Sequence, residues 1–332
     1  MTFPWLEDAS RHLDQCLFGE RRIHACLLAG PRALGKVDLG RRKAAALLCL
    51  KPRESADGRE ACGQCRSCQL LTGGAHPDFR ELTFEYRPKP NDNEWRTELV
   101  VEQVRDLTAG FSLTNMLSPC KVAIIHPAEA MNRVAANALL KTLEEPPGNS
   151  VLMLIAHEAA RLPATVRSRC QAINVRIPEH QQAQDWLVEE KGIEPTLAEA
   201  ALDAAAGSPL LAASLIDAGT LETYRNVERS LKQVQSDDAA VGVALDELSR
   251  SDPELMWSWI SLIAAQHVKR CLTGGMATPS RNGSAARLSR LQNLADHNRR
   301  LMATPVRKDL LLRDWLIQWA RVSAGETHAG KA

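Results

Sequence analysis

The sequence predicts an α/β domain built on a parallel sheet, followed by segments that are all-α. Three observations lead there. Lys121 to Cys170 reads as strand, helix, strand and short basic turn, with Val122 to Ile125 and Val151 to Ala156 as the unbroken apolar runs of strands buried on both faces. Ala25 to Ala29 (ACLLA) is a third such run and leads directly into a glycine-rich turn. Beyond Pro178 the strand pattern stops, and alanine- and leucine-rich helical spacing replaces it.

At 332 residues the chain has room for two or three domains and can bury a substantial core. A net charge of +1 gives no global signature of a nucleic-acid binder. No apolar run reaches membrane-spanning length, and Met1 to Ser10 lacks the basic start and apolar core of a signal peptide, so a cytoplasmic protein with no membrane partner is expected. Nine cysteines are many for such a protein, and in a reducing compartment their spacing suggests metal rather than disulfides.

Trp5 to Phe18 has the spacing of an amphipathic helix, with Leu6, Leu13 and Leu17 on its apolar side. After ACLLA comes GPRALGKV, the frame G-x-x-x-x-G-K-[ST], with Gly30, Gly35 and Lys36 in place and Val37 where a hydroxyl belongs. In a working site the glycine backbone wraps the phosphates, the lysine reaches the outer ones and the hydroxyl holds Mg²⁺. Valine has no oxygen to offer, so the frame reads as a degenerate, vestigial ATP site. A glycine-rich turn capping a helix from Val37 to Leu50 accounts for the same residues. Cys62-Gly-Gln-Cys65-Arg-Ser-Cys68 sets three thiolates at intervals that suit tetrahedral zinc; Cys49 is the expected fourth ligand and His76 the second choice. Four protein ligands leave no open position, so such a site is structural. The competing reading, three reduced surface thiols, invites oxidation. Phe84 to Thr97 is polar and proline-interrupted, a surface loop, and Leu99 to Leu107 runs from a short strand into a helix.

In the central stretch Asn132 can cap a helix whose Val134, Ala138 and Leu143 share a side, and Pro146 and Pro147 end it. Arg161, Arg167 and Arg169 crowd into one connection at the C-terminal edge of the sheet, where ligands and partners of open α/β sheets bind. Glu144 and Glu145 stand at a helix C-terminus, where the macrodipole disfavours carboxylates, so a local basic partner is expected rather than an acid/base pair. Pro178 to Leu215 reads as alanine-rich helices broken by Gly192 and Gly207, with His180 and Trp186 as core or cap residues. Asp252-Pro253-Glu254 starts a helix that buries Leu255, Trp259, Leu262 and Ile263. Thr304-Pro305 opens another, with Leu311, Trp315, Leu316 and Trp319, and TGGMATPSRNGS between the two reads as a flexible loop. From Arg281 onward basic residues outnumber acidic ones, an excess that reads as a solvated face.

ANALLKTLEEPP followed by Ser168-Arg169-Cys170 resembles the AAA+ clamp-loader ATPases of bacterial DNA replication, and the resemblance covers most of residues 20–210. It implies an AAA+ RecA-like domain over 1–177 with a zinc module at about 49–78, a helical lid over 178–218 and a helical collar domain over 219–332. It also implies zinc on Cys49, Cys62, Cys65 and Cys68. An active member ends a strand in Asp-Glu, follows the second strand with a sensor threonine and carries arginine in GSxR. Here the strand ends Ile125-His126-Pro127, Ala156-His157 stands for the sensor and Gly207-Ser208-Pro209-Leu210 lacks the arginine. A neutral imidazole suits Mg²⁺ poorly, proline has no base, and Glu129 lies two positions on. With Val37, these losses imply a chain that does not hydrolyse ATP itself. The intact Ser168-Arg169-Cys170 motif implies that Arg169, with Arg167 assisting, completes a neighbour's ATP site in trans, while Cys170 is a packed small residue. The implied partners are the clamp-loader ATPase subunits (tau and gamma) and the delta subunit, with primed DNA and the sliding clamp reached through the assembly, inside a DNA-directed DNA polymerase holoenzyme. Two other readings stand beside it. One is an independent ATPase using His126 or Glu129. The other is a zinc-dependent DNA-binding module, against which count the few aromatics near the cysteines and Arg66 as the only basic residue in the triplet.

Overall fold

A computed structural model of the chain describes residues 3–19, 22–55, 58–84, 86–89, 92–95, 98–111, 113–273, 281–302 and 306–327, which divide into two units, Met1–Ala183 and Gln184–Ala332. The first unit runs α1 (Glu7–Phe18), β1 (Ala25–Ala29), α2 (Lys36–Leu48), β2 (Arg53–Ser55), β3 (Gly58–Glu60), α3 (Arg66–Thr72), β4 (Phe79–Leu82), β5 (Tyr86–Lys89), β6 (Asp92–Trp95), α4 (Val101–Phe111), β7 (Lys121–Ile125), α5 (Arg133–Glu144), β8 (Ser150–Ala156), α6 (Ala164–Arg167) and β9 (Gln171–Asn174).

Five strands pair in the order β4-β7-β8-β1-β9, every neighbour parallel. Every residue of β1, β7 and β8 is buried, as their apolar runs predict for strands covered on both faces. Successive side chains alternate between two cores. Leu27, Ile125 and Leu154 meet Val104, Leu107, Leu139 and Leu143 of α4 and α5. Leu28, Ile124 and Ile155 meet Leu13 and Leu17 of α1 and Leu39 and Leu47 of α2. The parallel register sets Ala29 beside Ala156 and Ile125 beside Leu154, so the segments that follow these strands emerge at one edge.

Asn132 caps α5 as expected, its side chain accepting from the Ala135 N–H at 2.9 Å. The phase of that helix differs from the expectation. Ala135, Ala136, Leu139 and Leu143 face the sheet, and Val134 is 59% exposed. The stretch expected as a surface loop contains a β5–β6 antiparallel hairpin that pairs Pro88 with Asn93. Leu99 makes an isolated bridge to Met131 rather than a strand.

The second unit is all-α. After α7 (His180–Lys191) come α8 (Pro195–Ala204), α9 (Pro209–Asp217), α10 (Leu221–Ser236), α11 (Val241–Leu248), α12 (Pro253–Thr273), α13 (Arg281–Leu301) and α14 (Lys308–Thr327). Trp186 is buried as expected, and His180 is exposed. In α12, Trp259 and Ile263 are buried together with Trp257 and Ile260, because both α10 and α13 pack against the helix, while Leu255 and Leu262 are only half-buried. Trp315 stacks on Trp319 at 5.2 Å, and their indole N–H groups donate to Leu291 O (2.9 Å) and Leu231 O (3.2 Å). Residues 274–280 of the expected loop and Thr304-Pro305 lie outside the described residues; α13 already begins at Arg281. Among the described residues no single helix is long and apolar enough to cross a membrane.

Candidate functional site

The loop between β1 and α2 bends where its glycines allow. Gly35 has φ +80°, and a Cβ there would meet the Phe3 ring at 2.6 Å; a Cβ on Gly30 would meet Val175 O at 2.1 Å. Phe3 stacks on Trp5, whose indole N–H donates to Leu34 O at 3.0 Å, so the N-terminal turn lies on the loop. Lys36, only 2% exposed, turns inward. Its Nζ donates to the Pro31 carbonyl and contacts His157 Nδ1 at 3.2 Å. Burial draws the lysine down to about 8, with Arg32 adding to the effect and Glu129 opposing it. Burial and the Lys36 charge push His157 down to about 4, so at neutral pH its Nδ1 is an acceptor for the ammonium. Glu129 returns to this edge from the turn after β7: Oε1 accepts the His157 backbone N–H at 3.0 Å, and Oε2 is buried with no hydrogen-bond partner.

His126 is tied off in the same way. Its Nε2 lies 2.6 Å from Glu81 Oε1, and Arg41 of α2 donates to the same carboxylate through Nε and Nη2 at 2.7 to 3.2 Å. Burial would raise the Glu81 carboxyl, but hydrogen bonds from His126 and Arg41 outweigh it and hold the group at about 2.

At the other end of α2, the Sγ atoms of Cys49, Cys62, Cys65 and Cys68 all lie within 4.8 Å of one another. The separations of 3.9 Å (Cys49–Cys65), 4.0 Å (Cys62–Cys68), 3.5 Å (Cys65–Cys68) and 3.7 Å (Cys49–Cys68) are far too long for disulfides. They match a tetrahedron of bonds of about 2.3 Å, whose corners stand roughly 3.8 Å apart. The donor set therefore fits zinc. Cys49 ends α2, Cys65 caps α3, and Gly63 at φ +71° makes the turn between Cys62 and Cys65. Backbone N–H groups of Lys51 and Cys62 point at the Cys49 sulfur, and that of Cys65 at Cys62. Cys65 is held at about 6 because hydrogen bonds from the Cys68 and Leu50 backbones outweigh its burial.

His76 stands outside this cluster. Its Nε2 meets Ser67 Oγ at 2.9 Å and Ser118 Oγ at 3.1 Å, and both hydroxyls donate to Leu48 O, which ties α3 to the end of α2. Asp78 beside it accepts the backbone N–H groups of Met116, Leu117 and Ser118, each at 2.8 Å. Neither Asp78 nor Glu81 carries a local sequence signal, since their partners lie far along the chain.

Arg169 follows the single turn of α6 and is partly exposed. It precedes β9, whose Gln171 pairs with Cys26 near the start of β1, so it stands at the N-terminal edge of the parallel sheet and not at the expected C-terminal edge. Its Nη1 donates to Thr165 O at 2.9 Å, and its Nη2 lies 2.5 Å from Glu144 Oε1. The expected basic partner of Glu144 is thus in the same chain. Arg167 is exposed, and Ser168 Oγ donates to Thr165 O. Cys170 packs against the α4/α5 core, where burial pushes its thiol up to about 11, as expected for a packed residue rather than a nucleophile.

These features define a class: a P-loop α/β domain whose phosphate loop is satisfied by its own residues, with a cysteine centre at the far end of the P-loop helix. A family profile described as "DNA polymerase III, delta subunit" matches residues 5–179. DNA polymerase III subunit delta' of Pseudomonas aeruginosa is 38% identical over 240 residues, covering 72% of this chain and 70% of that one. The delta' subunit of Haemophilus influenzae is 34% identical (68% and 65% covered), and that of Escherichia coli 30% identical (95% and 94%). The chain belongs to the family of DNA polymerase III delta' subunits.

Two outcomes are expected from this geometry. Metal analysis of the purified chain should find zinc, and Cys65→Ser should remove it and destabilise the first unit by roughly 2 kcal/mol or more, about 5 °C in Tm. Metal-free protein whose melting is indifferent to the substitution would contradict the centre. Because the folded pKa of Glu81 lies below its usual 4.5, its contribution is complete above pH 4.5 and is lost as pH falls toward 2. Glu81→Gln should therefore cost about 1.5–3 kcal/mol at neutral pH and flatten the acid limb of the denaturation profile, read by urea titration at stepped pH. An unchanged limb would show that Glu81 contributes nothing there.

Proposed function

We propose that the chain is a non-hydrolysing stator of the DNA polymerase III clamp loader, which donates Arg169 in trans to the ATP site of an adjacent ATPase subunit during sliding-clamp loading. The observation that carries this reading is the inward turn of Lys36: the ammonium that would meet a nucleotide's outer phosphates is engaged by Pro31 O and His157. Val37 offers no Mg²⁺ ligand, and His126 is committed to Glu81, so neither supplies what hydrolysis would need there. Arg169, by contrast, is partly exposed in a Ser-Arg-Cys motif, where its forked guanidinium suits a phosphate approached from outside. Kinship with delta' subunits, and with the tau subunit of Bacillus subtilis DNA polymerase III at 30% identity over 170 residues, supports the assembly.

On this reading the partners are the tau/gamma ATPase subunits and the delta subunit, the clamp and primed DNA are met through the complex, and the site of action is cytoplasmic. The chain belongs to the polymerase holoenzyme without cutting ATP itself. Zinc on Cys49, Cys62, Cys65 and Cys68 is structural. Residues 178–218 serve as the lid and 219–332 as the collar.

The test is steady-state ATPase of the reconstituted loader with clamp and primed DNA. Arg169→Ala should lower turnover roughly tenfold or more while the complex still elutes as one assembly, and the isolated chain should show none. Turnover by the isolated chain that Lys36→Ala abolishes, or an assembly indifferent to Arg169→Ala, would overturn the reading.

A further inference from the structure

The C-terminus of α5 is a poor place for a carboxylate, because the partial negative charge of the unpaired carbonyls faces it. Glu144, the last residue of that helix, is there nonetheless, and its partner is Arg169, twenty-five residues on in sequence (169 − 144 = 25) and held at 2.5 Å. The Thr165 carbonyl takes a second contact from the same guanidinium at 2.9 Å. Together the two acceptors fix an otherwise flexible side chain at two points. They use two of the five N–H donors of an arginine and leave three for an incoming anion. With side-chain exposures of 35% for Arg169 and 50% for Glu144, the pair lies where a docking surface can reach it.

We infer that Glu144 is a positioning residue for Arg169, holding its guanidinium in the orientation in which a terminal phosphate of a neighbour's nucleotide meets it; the inference rests on the trans-acting role proposed above for Arg169. The carboxylate touches no substrate. It acts by cutting the rotamer freedom that Arg169 would otherwise lose on contact, the part that oriented groups contribute to a reacting complex. An orienting partner changes the rate of the chemical step and leaves nucleotide affinity alone, because the nucleotide is held by the neighbour's own loop. The amide of glutamine keeps an oxygen that accepts an arginine N–H, so it preserves the orientation in part, whereas alanine abolishes it.

The experiment uses the full reconstituted loader with clamp and primed DNA and compares Glu144→Ala, Glu144→Gln, Arg169→Ala and the Glu144→Ala/Arg169→Ala double variant. Glu144→Ala should lower kcat for ATP about three- to tenfold with KM unchanged and the assembly intact. Glu144→Gln should recover at least half of the loss on a logarithmic scale, and the double variant should match Arg169→Ala alone. The positioning role is overturned if Glu144→Ala leaves kcat untouched while Arg169→Ala lowers it, if glutamine is no better than alanine, or if the double variant falls well below Arg169→Ala. A loader indifferent to Arg169→Ala overturns the underlying reading instead, and this one with it.

Discussion

The shared direction of β7, β8 and β1 is the constraint from which the first unit follows. Because the three strands are parallel and in register, Ala29, Ile125 and Ala156 end at one edge, and whatever succeeds them is delivered there. The phosphate loop, His126 and His157 are thus neighbours by topology before any side chain selects a rotamer. Burial enforces the register. Leu27 and Leu28 belong to opposite cores, so a slip of one residue in β1 would exchange them and spoil the packing of both helical layers.

What collects at that edge is a set of charges met largely within the chain, with the buried Glu129 Oε2 left over. A buried ammonium needs acceptors, and Lys36 finds a carbonyl and a neutral imidazole. A half-buried carboxylate also needs donors, and Glu81 finds His126 and Arg41. α2 joins this edge to the cysteine centre, since its first residue is Lys36 and its last carbonyl, at Leu48, receives the Ser67 and Ser118 hydroxyls. One helix therefore joins the P-loop edge to the four-cysteine cluster.

The apolar strands were legible because burial on both faces leaves an unmistakable run of residues, and the cysteines because metal geometry demands a fixed spacing. Cys49 was within reach of the same reasoning, as the thiol at the end of the preceding helix. The pairing of Tyr86–Lys89 with Asp92–Trp95 was not: a polar, proline-interrupted stretch reads as a loop whether or not its strands pair. Val134 misled because a short apolar helix fits more than one phase, and here the alanines face the sheet. Asp78, Glu81 and the Lys36–His157 contact were invisible, since each depends on partners that only the tertiary fold brings near. The pairing of Glu144 was half visible: an acid at a helix C-terminus announces a cation without saying which.

Lys36 and Arg169 differ most in what it takes to release them. A phosphate approaching Lys36 must break contacts that keep a buried ammonium satisfied, and a buried charge stripped of its partners costs several kcal/mol. A phosphate approaching Arg169 meets an exposed ion pair, worth about 0–1 kcal/mol in water, on a guanidinium with donors to spare. Burial alone would thus make an anion more costly to bind at Lys36 than at Arg169, although both residues are basic. That difference in desolvation separates the two cations more sharply than their shared charge joins them.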